Sequence, residues 1–438
     1  MLKKTFGMIS LGCDKNRVDG ERLLGEVKKH GCEITDDPAQ AEILIVNTCA
    51  FLNEARKEAI ETVLECDGYR GGKLEKIVVT GCLPEKYIGE LFAPLTEADV
   101  FLGVHDAPAL FEALERSYAG ERVNCVGKCG EYPAGERVLT TLPHTAYLKI
   151  SDGCANHCTY CLIPKIRGKF RSEEMEALLS EAASLGELEE LILVAQDTAR
   201  YGEDKYGENK FVELLQKLSA LNNVRAIRIL YCYPERVTAE LIAQMRDDPK
   251  IIKYLDIPLQ HSENRVLKLM GRRGTRERYL ALFEKLRKEM PDIALRSTFI
   301  SGFPSETEEE HRALISFLRE AELQNCGFFA YSREPETPAY GMKGQVHASV
   351  KRRRVKELYL AQAEISRGFL AKFQGKTLRV LCDGVNYEKS CFEGRAYFQA
   401  PEIDGKVFFT APRAQTGSYY TVKIDRTDEY DLYGYVEE

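Results

Sequence analysis

Ser151-Asp152-Gly153-Cys154-Ala155-Asn156-His157-Cys158-Thr159-Tyr160-Cys161 sets three cysteines within eight residues, spaced Cys-x3-Cys-x2-Cys, just after the apolar alternation Ala146 to Ile150. A loop this short brings three thiolates to three corners of one small metal centre, and thiolates select soft or iron–sulfur metals over hard cations. No fourth ligand follows. The chain runs on as Cys161-Leu162-Ile163-Pro164, with isoleucine where bacterial ferredoxins carry a cysteine before proline. Three protein ligands leave one metal open to an outside ligand, the arrangement of catalytic rather than closed structural sites. Zinc is the competing reading, and it needs a fourth Cys or His. His157, the neighbour of Cys158, is an awkward supply.

The chain around this loop has 438 residues, more than one ordinary domain, so two or three domains are expected. Its 44% hydrophobic and 29% charged content is that of a soluble globular protein. No apolar run approaches the roughly 18–20 residues needed to span a bilayer. Met1 to Gly7 leads straight into a strand-like segment instead of a signal-peptide core. Fourteen cysteines without a secretion signal point to metal or redox chemistry in a reducing compartment, hence the cytoplasm, and to no membrane partner. Residues 1–118 carry 14 Lys+Arg against 21 Asp+Glu, residues 119–370 carry 38 against 36, and residues 371–438 carry 9 against 11. None has the positive excess of a protein that grips a phosphate backbone, which weighs against a direct nucleic-acid substrate and leaves a local basic stripe open.

In residues 1–118, strand patterns (Phe6 to Leu11, Ile43 to Asn47, Ile77 to Thr80) alternate with helical ones (Val18 to His30, Asn53 to Cys66). That alternation predicts a doubly wound parallel α/β sheet, whose ligands gather beyond the carboxyl ends of the strands. Cys13, Cys49 and Cys82 are each the first cysteine after a strand, so parallel neighbours put them on one rim as a second three-thiolate set. The alternative for each alone is an inert buried cysteine. Cys32 and Cys66 lack that position and read as packing residues. Residues 119–143, rich in glycine and proline, read as a linker, and its Cys125 and Cys129 as incidental.

Residues 144–370 repeat strand and helix six times, with strands at Ala146 to Ile150, Leu191 to Ala195, Val224 to Leu230, Tyr254 to Ile257, Leu295 to Ile300 and Gly327 to Tyr331. Six βα units predict an open or partial barrel with its chemistry at the carboxyl ends of the strands. Gln196-Asp197, Tyr231, Gln260-His261 and Ser301-Gly302 stand there. Gly302 suits close backbone approach to a ligand, and His261 reads as a structural hydrogen-bonder. The basic loop Lys165 to Arg171 is either solvated or a contact for a carboxylate. Lys351-Arg352-Arg353-Arg354 reads as a solvated helix face. From Thr377 the texture turns to five short strands, Leu378 to Cys382, Arg395 to Gln399, Val407 to Thr410, Tyr419 to Ile424 and Leu432 to Val436, with Asp404-Gly405 as a hairpin turn. They predict a small Greek-key or OB-like antiparallel barrel over residues 371–438.

Taken together, the chain resembles the methylthiotransferases, radical S-adenosylmethionine (SAM) enzymes with an N-terminal second-cluster domain and a C-terminal TRAM barrel. The carriers are Ser10-Leu11-Gly12-Cys13 with Lys15-Asn16, Asn47-Thr48-Cys49, Thr80-Gly81-Cys82 and the Cys154 loop. Ala195-Gln196-Asp197-Thr198, Tyr254 through His261, Pro335-Glu336-Thr337-Pro338-Ala339-Tyr340 and Tyr430-Asp431-Leu432-Tyr433-Gly434 resemble its ribosomal-protein branch, the RimO type. Ala155 stands where the family usually has asparagine directly after the first loop cysteine, and the cysteine spacing is kept.

The resemblance implies a central radical SAM barrel and two 4Fe–4S clusters, one on Cys154, Cys158 and Cys161 and one on Cys13, Cys49 and Cys82. The first would reduce SAM to a deoxyadenosyl radical. The second would present a sulfur, methylated by another SAM, to the carbon radical on the substrate. SAM contacts fall to Tyr160, Gln196, Asp197 and Gly302. The implied substrate is an aspartate β-carbon of small-subunit ribosomal protein twelve. The electron donor would be flavodoxin- or ferredoxin-like, and the sulfur donor is left open. A tRNA methylthiotransferase acting on a modified adenosine is the nearest rival. A non-catalytic iron–sulfur carrier is the rival from another class, and two sets of three ligands argue against it, because ferredoxins bring four.

Overall fold

The computed structural model describes residues 3–128 and 135–437; Cys129 lies outside them. The N-terminal sheet is built from β1 (Thr5–Ser10), α1 (Asp14–Lys29), β2 (Glu33–Thr35), β3 (Ile43–Thr48), α2 (Asn53–Asp67), β4 (Lys76–Gly81), α3 (Cys82–Leu91), β5 (Val100–Phe101), α4 (Leu110–Tyr118) and β6 (Val123–Asn124). Its order is β2-β1-β3-β4-β5-β6, with every pair parallel. The strand order reverses between β1 and β3, and such a switch point opens a crevice at the carboxyl ends. β3 is buried along its whole length, as a strand covered on both faces by helices must be. The sheet reaches into the stretch expected as linker, because Val123 pairs with Val100 as a sixth strand. Cys125 is accordingly buried against that sheet and not exposed.

The central domain comprises β7 (Thr145–Lys149), β8 (Ser151–Asp152), α5 (Ile163–Ile166), β9 (Arg171–Ser172), α6 (Met175–Ser184), β10 (Glu190–Val194), α7 (Phe211–Ser219), β11 (Ile227–Ile229), α8 (Ala239–Asp247), β12 (Ile251–Asp256), α9 (Asn264–Leu269), α10 (Arg276–Glu289), β13 (Ala294–Ser301), α11 (Glu308–Ala321), β14 (Asn325–Ala330) and α12 (Ala348–Leu370). Six parallel strands run β7-β10-β11-β12-β13-β14, and β7 and β14 do not pair with each other, so the barrel stays open. The helix layer packs Leu, Ile, Phe and Met onto the strands in one continuous core. Each such side chain contributes roughly 1.5–3 kcal/mol on burial. Thr307 and Glu310 cap α11 reciprocally at 3.2 and 2.9 Å, so the helix starts where the loop after β13 ends. The 351–354 run is not a solvated face throughout: Arg354 is buried and pairs with Glu306 at 2.9 Å.

The C-terminal strands, β15 (Thr377–Asn386), β16 (Cys391–Arg395), β17 (Val407–Thr410), β18 (Tyr419–Thr427) and β19 (Leu432–Val436), close a five-stranded barrel in the order β15-β16-β17-β19-β18. All pairs are antiparallel except β17 with β19. Two expectations shift here. The second strand is Cys391–Arg395, and Ala396 to Ala400 leave the barrel, with Phe398 packed on Phe373 and Phe369 at 4.9 and 5.4 Å between ring centres, in the apolar cluster that also holds Tyr147, Ile192 and Tyr254. Asp404-Gly405 is no tight hairpin, because the Asp404 carboxylate is held by Tyr254 Oη at 2.7 Å and the Ala400 N–H at 2.9 Å. Burial against a neighbouring domain overrides local alternation in both places.

The three parts are tied together through buried charge. Arg22 of α1 pairs with Glu181 of α6 at 3.1 Å, Arg137 pairs with Glu21 at 2.6 Å, and Glu190 of β10 takes both Arg228 and Arg395. Gly25 has to lack a side chain, because a Cβ there would meet Glu136 O at 2.5 Å where the connecting segment crosses α1.

Candidate active site

In register, Ser10 pairs with Asn47 and Asn47 with Thr80, so the carboxyl ends of β1, β3 and β4 lie side by side. Cys13, Cys49 and Cys82 follow these ends. Asn47 fixes the rim by donating to Ser10 Oγ at 3.2 Å and to Asn16 O at 2.7 Å, and Thr48 Oγ1 donates to Thr80 O at 2.6 Å. Gly81, at φ +96°, would drive a Cβ to 2.5 Å from Thr48 O, so only glycine brings β4 this close to β3 before the turn to Cys82. Cys13 caps α1 and Cys82 opens α3, which aims two helix N-termini at the triad. Helix N-termini favour thiolate and any anionic group held there.

The second triad sits beyond β8. Gly153, at φ +73°, lets the chain pass Lys169 O, which a Cβ would approach to 2.2 Å, and the Cys154 N–H is anchored on Gly168 O at 3.2 Å. The backbone N–H of Asn156 points at Cys154 Sγ at 3.4 Å, and that of Ile163 at Cys161 Sγ at 3.4 Å. The Tyr233 hydroxyl lies 3.6 Å from Cys158 Sγ. Burial pushes the thiols of Cys154 and Cys161 up, as it does those of Cys49 and of Cys82, the last to about 12. Such buried thiols become thiolates when a bound cation takes the proton's place.

Both donor sets consist of three free thiols, the ligand chemistry that iron–sulfur clusters take. Among the described residues no three His, Cys, Asp or Glu side chains converge tightly enough for a single metal ion. The zinc reading also lacks its fourth ligand, because the His157 side chain faces solvent. A cluster instead takes its cysteines on separate irons. A second observation supports an anionic occupant at Cys158. The buried guanidinium of Arg272 lies 4.0 Å from Cys158 Sγ and packs over the Tyr233 ring at 4.2 Å.

Polar atoms without partners face the same loop. Gln196 donates to Asp152 Oδ1 at 3.0 Å while its Oε1 is buried and unpaired. Asp197 accepts from Asn156 Nδ2 at 2.9 Å while its Oδ1 is unpaired, and burial raises its carboxyl. Two acceptors waiting beside Cys154 suit the amino and hydroxyl donors of a SAM-like ligand. Tyr160 lines a cavity of about 150 Å³ with Phe51, Gln260, Thr298, Tyr331 and Glu334, next to both cysteine loops. Gly302 is differently placed: its open side faces the Lys351 stem, 2.4 Å from where a Cβ would sit, and its N–H goes to Glu306 Oε2 at 2.6 Å. His261 is fully buried, accepts the Glu263 N–H on Nδ1 at 3.0 Å and is pushed down to about 3 by burial, so it is neutral.

Tyr231 and Arg167, which the sequence places at a strand end and in a basic loop, join the two triads through partners that the sequence does not show. Tyr231, strained at φ +60°, donates its hydroxyl to Asp14 Oδ2 at 3.0 Å and stacks under Lys15 Nζ at 3.3 Å. Arg167, read as part of a basic loop with either a solvent or a ligand role, is instead buried between Asp19, Asp152, Asn16 and Cys82. No periodic pattern marks such residues, because their partners lie far away in sequence.

Comparison with known proteins bears on each part. Residues 5–103 match the model of Uncharacterized protein family UPF0004, residues 148–318 that of the Radical SAM superfamily, and residues 375–436 that of the TRAM domain. The chain is 44% identical over 436 residues to a ribosomal protein uS12 methylthiotransferase RimO of Lachnoclostridium phytofermentans, covering 98% of this chain and 99% of that one. It is 43% identical to the protein of that name in Clostridium tetani over 100% and 99% of the two chains. Among solved structures, the radical S-adenosylmethionine methyltransferase TsrM of Kitasatospora setae, with cobalamin and a [4Fe-4S] cluster bound, shares the fold with TM-score 0.57 at 14% identity over 77% of each chain.

Proposed function

This chain belongs to the RimO family of ribosomal protein uS12 methylthiotransferases, and on that footing we propose that it replaces one hydrogen on the β-carbon of a uS12 aspartate with a methylthio group. Cys154, Cys158 and Cys161 are the ligands of one 4Fe–4S cluster, and Cys13, Cys49 and Cys82 are those of a second. When bound, the clusters and SAM supply the one-electron and sulfur chemistry that no side chain provides.

The protein's own residues do the rest. Asn156, Ile163 and Tyr233 orient donors toward the loop sulfurs. Gln196 and Asp197 offer buried acceptors to SAM, and Tyr160 forms part of the cavity wall beside its cluster. Asn47, Thr48 and Gly81 hold the second rim in place. Phe51, Phe329 and Tyr331 give that cavity an apolar wall. The electron donor in this reading is a flavodoxin- or ferredoxin-like protein, and the setting is the cytoplasm. No described helix is long and apolar enough to cross a membrane.

The observation that carries the reading is the meeting of two three-cysteine rims, one at the carboxyl ends of each parallel sheet, across a single interface. Its test offers uS12 and tRNA side by side to the anaerobically reconstituted protein. Methylthiolation of uS12 alone supports it; modification of tRNA alone supports the adenosine-modifying rival.

A further inference from the structure

One side chain reaches from the loop of the first triad to a cysteine of the second. Arg167 follows α5, six residues beyond Cys161, and only 3% of it is exposed. Its Nη2 lies 3.4 Å from Cys82 Sγ and 3.0 Å from Asn16 Oδ1. Its Nη1 meets Asp152 at 3.2 Å and also pairs with Asp19. Lys149 binds the same two carboxylates, 3.0 Å from Asp152. Two cations and two carboxylates thus meet at the interface, and the guanidinium fork is fixed in direction with Nη2 turned toward Asn16 and the Cys82 sulfur. The next residue, Gly168, holds the Cys154 N–H on its carbonyl at 3.2 Å. A single turn of chain therefore touches a ligand of each triad.

We propose that Arg167 is a positioning residue that raises the reduction potential of the cluster on Cys13, Cys49 and Cys82 through an N–H···S hydrogen bond to Cys82, and that it sets this cluster's place relative to the Cys154 loop. The inference rests on the reading of those three cysteines as cluster ligands. Cluster potentials follow hydrogen bonds to sulfur, net charge and solvent exposure. Adding an electron makes a cluster more negative, so a cationic donor at a ligand sulfur favours the reduced state, and more strongly in a buried, low-dielectric place. A lysine in place of Arg167 keeps the charge and loses the planar fork that serves Asn16, Cys82 and two carboxylates at once. Cys158 has its own guanidinium, Arg272, so the effect is confined to one cluster.

The experiment uses the full chain with Cys154, Cys158 and Cys161 replaced by alanine, loaded anaerobically with iron and sulfide and titrated by potential with EPR detection. Arg167→Gln is expected to disfavour reduction at least tenfold, a shift of about 59 mV to more negative potential for one electron. Arg167→Lys is expected to move it the same way by less. In the complementary chain lacking Cys13, Cys49 and Cys82, Arg167→Gln is expected to leave the midpoint in place. If the glutamine variant does not load, the lysine variant decides. An unchanged midpoint in a loaded chain overturns the inference and leaves the second-cluster reading standing. A parent chain that takes up no iron overturns that reading and the inference with it.

Discussion

Arg272 holds its guanidinium 4.0 Å from Cys158 Sγ, and among the described residues no carboxylate pairs with it. Its other partners are Pro258 O at 2.6 Å and the Tyr233 ring. A buried cation with no carboxylate in contact, and with Asp197 only within electrostatic reach, costs several kcal/mol until an anionic group arrives. Arg272→Met is therefore expected to raise the stability of the metal-free protein by about 1–3 kcal/mol and to lower that of the cluster-loaded protein. Calorimetry on both forms checks it, and a shift of the same sign in both contradicts it.

Gly81 permits the turn between β4 and Cys82. Gly81→Ala has to push a Cβ away from Thr48 O at 2.5 Å while holding φ at +96°. The expected cost is about 2–4 kcal/mol, with the strain placed on the Cys49 and Cys82 rim. Iron analysis after anaerobic loading is expected to lose the share held by the N-terminal triad, while the EPR response of the Cys154 cluster to SAM persists.

Glu190 supplies a pH dependence of known sign. Burial works to raise its carboxyl, and Arg228 and Arg395 outweigh burial and hold it below the usual carboxylate range. A depressed folded value means that the pairing stabilises fully above the unfolded value of about 4.3 and is lost as pH falls through the folded value. Acid below about pH 4.3 is thus expected to loosen the C-terminal barrel from the central domain. Glu190→Gln removes that contribution from the pH profile of unfolding and leaves two buried guanidinium groups facing each other, at about 3–5 kcal/mol.

Arg22 and Glu181 lie 3.1 Å apart with side chains 1% and 0% exposed, and they join the N-terminal sheet to the barrel. Arg22→Ala leaves Glu181 with Arg137 at 3.1 Å and the Gly135 N–H at 3.0 Å and is expected to cost about 3–5 kcal/mol. Urea unfolding measures it, with an early phase belonging to the N-terminal domain. A paired Arg22→Met, Glu181→Leu change is expected to recover most of the loss.

The cysteine geometry is legible in the chain because strand, turn and ligand are consecutive: Ser10 to Cys13, Asn47 to Cys49 and Thr80 to Cys82 each end a strand, and parallel register does the rest. The partial barrel is legible because six helices and strands keep their periods. What local pattern leaves out is decided by distant partners. Phe398 sits in an alternating stretch that reads as strand, yet the rings of Phe369 and Phe373 capture it. Val123 lies among linker-like residues, yet an unpaired edge at Val100 takes it up. Arg167 looks like a loop cation open to solvent or to a carboxylate until Asp19 and Asp152 arrive from other elements. The positive φ values of Tyr231 and Gln260 have no sequence signal at all, since neither is glycine or asparagine.

The central claim is that two three-cysteine sites act together on uS12. The most direct test incubates uS12 with the anaerobically reconstituted protein, SAM, a sulfide source and a reductant, and then maps the product by mass spectrometry. The account predicts one methylthio group in place of one hydrogen on a single aspartate, absent with Cys154→Ala and absent with Cys82→Ala. The same modification formed undiminished by either variant would contradict it.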